Sequence, residues 1–76
     1  MREFIEFIAK HLVDQPDAVR LEQLEQDSTI VLKLSVGENE VGKVIGRKGR
    51  TARALRTLLN AVAAKEGKHA VLEIVG

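Results

Sequence analysis

The apolar residues of this chain change their period twice, and those changes confine it to a mixed helix and strand fold. Ile30, Leu32, Leu34 and Val36 alternate with Val31, Lys33 and Ser35; near the end, Ala70, Leu72 and Ile74 alternate with Val71, Glu73 and Val75. A two-residue period places alternate side chains on opposite faces of an extended strand. Between these runs the period lengthens. At about 100° per residue, Leu55, Leu58, Leu59 and Val62 share a stripe about 100° wide, with Arg50 and Arg53 opposite and Arg56 on the flank. The spacing predicts a helix over about 50–65 with a core face and a positive face, closed by Gly67.

Phe4, Ile5, Ile8 and Leu12 recur at helical spacing with Phe7 at the edge of their stripe, which predicts an opening amphipathic helix that Pro16 stops. Val19, Leu21 and Gln23 form a weaker alternating run. Asp27-Ser28 is turn chemistry, so the first two strands are expected to make an antiparallel hairpin. Asn39 is expected to cap a short helix over about 40–45, interrupted by Gly46 and Gly49. The predicted order is helix, strand, strand, short helix, helix, strand.

Seventy-six residues suffice for a single domain, residues 1–76, with a thin core and no room for a large enclosed active site. The absence of cysteine excludes disulfides and thiolate metal sites. Acids at Glu3 and Glu6 interrupt any signal-peptide core, and no apolar run reaches membrane-spanning length, so a cytoplasmic location is expected. No catalytic, metal or cofactor site is expected. His11 and His69 lack ligand-spaced companions, Ser28 and Ser35 lack a nucleophile-elbow context, and Gly42, Gly46 and Gly49 match neither the P-loop nor the dinucleotide spacing.

Charge is segregated along the chain. Residues 1–40 carry nine acids against Arg2, Lys10, Arg20 and Lys33, whereas residues 41–56 carry Lys43, Arg47, Lys48, Arg50, Arg53 and Arg56 with no acid. Such segregation focuses positive potential on one region and points to a polyanionic partner. Within it, Gly46-Arg47-Lys48-Gly49 reads as a tight turn between two helices. Glycines at its corners let the main chain lie against a sugar-phosphate backbone, while Arg47 and Lys48 reach phosphate oxygens and the following helix offers its positive end. Cations at a helix start cost a few tenths to about 1 kcal/mol. Breaking that rule three times in four residues suggests that these positions serve something other than folding.

Val44-Ile45-Gly46-Arg47-Lys48-Gly49 resembles the GxxG signature of KH domains, which clamp about four nucleotides of single strand. A helix and two strands precede the turn and a helix and one strand follow it, as in type II KH domains. With the opening helix, the Gln15-Pro16-Asp17-Ala18 break and the Val41-Gly42-Lys43-Val44-Ile45-Gly46 approach, the whole chain is similar to the KhpA family of minimal bacterial KH proteins. The resemblance implies an α+β type II KH fold with a three-stranded sheet and helices packed on one face. It also implies an RNA-binding protein, a post-transcriptional regulator or RNA chaperone, that holds single-stranded RNA through Lys43, Ile45, Gly46, Arg47, Lys48, Gly49, Arg50 and Arg53. Ile45, Ala52 and Leu55 would floor the groove, with Leu32 or Leu34 and the backbone of the second strand opposite. The implied protein partner is a second copy, as a homodimer, or a larger KH-containing protein of the KhpB or Jag type, as a heterodimer. Only Phe4 and Phe7 are aromatic, so stacking platforms are not the mechanism. Two further readings stay open: a helix-turn-helix DNA reader, and a KH scaffold used mainly for dimerisation.

Overall fold

Alternation in the second and third strands produces the sheet that the periodicity predicts. The computed structural model describes residues 2–76, and its elements run α1 (Arg2–Leu12), β1 (Arg20–Gln26), β2 (Thr29–Ser35), α2 (Val41–Ile45), α3 (Arg50–Ala64) and β3 (His69–Val75). Short 3-10 turns occupy Pro16–Ala18 and Arg47–Gly49. β1 and β2 pair antiparallel across a two-residue turn at Asp27-Ser28, with Gln26 opposite Thr29. β3 pairs parallel with β2, so β2 is central. A parallel partner needs a long crossover, and α2 and α3 supply it.

Ile30, Leu32 and Leu34 of β2 and Ala70 and Leu72 of β3 point to one face and are buried there under the helices, while Lys33, Val71 and Glu73 point outward and are exposed. The helices therefore cover one face only. β1 contributes little, burying only Leu21 within the strand, with Val19 buried just before it.

Both long helices are rotated relative to their sequence stripes. In α1 the buried residues are Ile5 and Ala9, followed by Val13 beyond the helix end, while Phe4 and Phe7 are exposed. In α3 they are Ala52, Leu55, Leu59 and Ala63, while Leu58 and Val62 are exposed. The buried arc of each helix thus combines large side chains, Ile5 and Leu59, with the alanines Ala9, Ala52 and Ala63, whose small size lets the helix approach the layer beneath.

The helix ends follow local chemistry. Gly67, at φ +71°, ends α3 in a left-handed cap in which the Lys68 N–H bonds Ala63 O at 2.9 Å and the Gly67 N–H bonds Ala64 O at 3.0 Å. At the start of α2 the expected cap is displaced by one residue. Glu40, not Asn39, stands at the N-cap, and it makes no side-chain cap bond because its carboxylate is engaged with the chain after α1.

Candidate nucleic-acid interface

The glycine-bounded turn is built from backbone conformations that few residues tolerate. Gly46 adopts φ +79°, ψ 175°, a region open essentially to glycine alone. A Cβ there would also stand 2.8 Å from the Thr51 Cβ. Gly49 lies in the left-handed region at φ +74°, with open space where a Cβ would go. Between them Lys48 is left-handed too, at φ +57°, which costs a non-glycine residue about 1 kcal/mol. The turn is held by the Gly49 N–H bonding Gly46 O at 3.1 Å and by the Arg50 N–H bonding Arg47 O.

This conformation turns Arg47 and Lys48 outward, and both are exposed, as are Arg50 and Arg53 on the first turn of α3. None of these four cations pairs with an acid among the described residues. No acid or side-chain cap stands at the start of α3, so its dipole adds to the positive field. Lys43 is placed differently. Its ammonium hydrogen-bonds the Asp14 carboxylate and lies 3.6 Å from Glu40 Oε2. The bond to Asp14 raises the Lys43 pKa above the ordinary 10.5. A raised folded-state pKa makes the pair's contribution fully present below that value, lost only as pH climbs through the raised one.

One flank of α3 lies along the open edge of β3. In a parallel ladder alternate residues direct their backbone groups to the partner strand. The His69 N–H bonds Ser28 O and Val75 O accepts from the Val36 N–H, so Ala70, Leu72 and Ile74 direct theirs to the open edge. α3 is stitched to that edge at two points. Asn60 Oδ1 accepts the Ala70 N–H at 3.0 Å, and Arg56 Nη2 donates to Leu72 O at 3.4 Å.

This arrangement corrects the expected groove. β2 is central with both edges paired, and Leu32 and Leu34 are fully buried, so neither the second strand nor its leucines can face a ligand. Ala52 and Leu55 are buried as well. Of the three expected floor residues only Ile45 retains partial exposure. The sequence could not reveal the open edge, because strand order depends on which way the crossover returns. Asn60 was missed for a related reason: an asparagine inside a helix carries no signal of its own until its strand partner is known.

The other flank of α3 is apolar. Leu58 is 50% exposed, and with Val62 and the exposed Phe4 it forms an open face spanning α1 and α3; Phe7, 58% exposed, packs against His11 on α1. A cavity of about 310 Å³ lies within that face, lined by Phe4, Leu58, Leu59 and Val62. Leu58 is shared: it also lines an open cavity of about 510 Å³ with Arg50, Arg53, Ala54 and Thr57, so the apolar face borders the cations along α3. Among the described residues no three His, Cys, Asp or Glu side chains converge as a metal-ligand set. No helix of those residues is long and apolar enough to cross a membrane.

Residues 2–74 match the family model described as "KhpA/KhpB, KH domain". Among curated proteins, the chain is 49% identical over 75 residues to the RNA-binding protein KhpA of Aquifex aeolicus, covering 99% of this chain and 95% of that one. It is 52% identical over 73 residues to the RNA-binding protein KhpA of Borreliella burgdorferi, covering 96% and 89%. With its counterpart in Clostridium acetobutylicum it shares 45% over 75 residues, covering 99% and 100%. No solved structure matches. A near-full-length family match on a helix, strand, strand, helix, helix, strand chain with a glycine-bounded cationic turn leads to one assignment: this chain belongs to the KhpA/KhpB family of KH-domain proteins.

Proposed function

We propose that this chain binds single-stranded RNA, gripping the sugar-phosphate backbone at Gly46–Gly49 and laying the bases along α3 and the open edge of β3. The observation that carries this reading is the unpaired cation cluster of Arg47, Lys48, Arg50 and Arg53 around a glycine-bounded turn. Gly49, with open space where a Cβ would stand, admits the phosphates closely, the cations hold them, and Ile45 supplies apolar contact beside the turn. Both aromatic side chains lie on α1, so affinity comes from phosphates and shape, with loose sequence preference. That profile suits an RNA chaperone or post-transcriptional regulator acting on many transcripts in the cytoplasm. The family is a binding family, and we infer no catalysed reaction.

The test is the double variant Arg47→Asp with Lys48→Asp, whose side chains are exposed and whose left-handed position 48 tolerates aspartate. It should lose binding to a short single-stranded RNA by at least about a hundredfold at fixed salt while keeping a native circular dichroism spectrum, because two attractions become two repulsions. Unchanged affinity would sink the reading. Duplex DNA is the competing ligand in the same titration. The five residues of α2 give a helix-turn-helix reader too little to brace its second helix, so RNA should win.

We infer in addition that the chain associates through the face of Phe4, Leu58 and Val62, either with a second copy or with a larger KH-containing partner of the KhpB or Jag type. An apolar face spanning two helices of a domain with so thin a core favours association. Sedimentation across a dilution series, alone and with the larger partner, tests it.

A further inference from the structure

Glu40 is the single buried charged side chain among the described residues, at 4% exposure. A buried carboxylate is costly unless its oxygens are satisfied and its charge is met. Both conditions hold. The backbone N–H groups of Asp14 and Gln15 donate to its two oxygens, the second at 3.1 Å, and the Lys43 ammonium lies 3.6 Å from Oε2 while hydrogen-bonding Asp14. Room for the carboxylate depends on Gly37, where a Cβ would stand 3.0 Å from Glu40 Oε1 and 3.1 Å from Gln15 Oε1. Three separate segments meet here: the chain leaving α1, the loop leaving β2, and the first turn of α2.

The meeting matters because α2 has only five residues, far too few to hold helical geometry alone, and no side chain caps its start. One end of it carries the Gly46 turn, the buried Val44 anchors its middle, and the Glu40 cluster anchors the other end. We propose that Glu40, Lys43 and Asp14 form a latch that fixes α2, and with it the Gly46–Gly49 turn, against the end of α1, so that Lys43 is a positioning residue for RNA binding and not a phosphate contact. Drawing Lys43 away to a phosphate would leave the buried Glu40 without its cation. The proposal rests on the RNA-binding reading, and its test separates the two.

Asp14 is 80% exposed in its side chain, so Asp14→Ala should fold, as should Lys43→Gln. On charge alone, removing the Asp14 carboxylate strengthens binding to a polyanion; the latch instead predicts affinity for single-stranded RNA about three- to tenfold weaker. In Lys43→Gln the affinity falls while the slope of log K against log salt stays at the wild-type value. Arg47→Gln, by contrast, flattens that slope by about 0.7, the value of one lost phosphate contact on a single strand. Without RNA, amide hydrogen exchange should quicken at Asp14 and Gln15, and at Gly46 to Arg50, in both latch variants. Tighter RNA binding by Asp14→Ala, a Lys43→Gln slope flattened by about 0.7, or unchanged exchange at Gly46 to Arg50 would each overturn the latch. A wild-type chain that binds no single-stranded RNA would overturn the RNA reading instead, with the exchange measurement still deciding whether the latch holds the turn.

Discussion

Gly46 and Gly49 look equivalent as a motif, but their surroundings differ. Gly46 occupies a glycine-only backbone region with Thr51 packed where a side chain would start; Gly49 is left-handed with open space around it. Gly49→Ala should therefore cost about 1–2 kcal/mol, the strain of a left-handed alanine. Gly46→Ala carries strain of about 1–3 kcal/mol and must displace Thr51 as well, so it should be the more damaging of the two. Urea unfolding of the two variants checks the order, and equal midpoints would contradict it. The need for glycine was legible from the spacing alone. The difference between the two was not, because Thr51 reaches Gly46 only once α3 has begun beside it. Glu40 teaches the same lesson from the other direction: one more acid in an acidic stretch, it became buried because two backbone amides 25 and 26 residues earlier needed acceptors.

Among the elements, α3 carries three separate functions on three sides. Its inner arc packs on the sheet, one flank is stitched to β3 through Arg56 and Asn60, and the other flank presents Leu58 and Val62. Neighbouring leucines should then behave differently. Leu59→Ala removes a nearly fully buried side chain and should cost about 2–5 kcal/mol, whereas Leu58→Ala, half-exposed, should stay within about 0.5 kcal/mol. Thermal or chemical unfolding separates them, and a Leu58→Ala loss as large as that of Leu59→Ala would refute the assigned orientation. The helical period located this helix and its positive side. It misplaced the centre of the buried arc, because a stripe drawn through the largest side chains ignores how closely an alanine face can approach a sheet.

For the molecule as a whole, the cationic and apolar surfaces of α3 meet at Leu58, while Val62 lines only the apolar cavity. Val62→Glu should abolish self-association or partner association, read by sedimentation across a dilution series, while leaving RNA affinity within about twofold, since Val62 lines the apolar cavity and not the one shared with Arg50 and Arg53. Loss of RNA binding in step with loss of association would show that the two surfaces are coupled after all. The cluster of unpaired cations further implies that RNA affinity falls steeply with salt, by a slope of about 0.7 for each phosphate held.

The linear chain by itself determined the order of elements, the site of the turn and the sign of its field. Each of these depends on neighbours within a few residues: alternation sets strands, glycine pairs set turns, and charge summed along residues 41–56 needs no folding to be counted. Only the tertiary structure decided that β2 is central and β3 has an open edge with α3 along it, and that Lys43 among the six cations is held by Asp14 and Glu40. Those outcomes depend on which distant segments come together, and burial and pairing between such segments leave no periodic mark on the sequence.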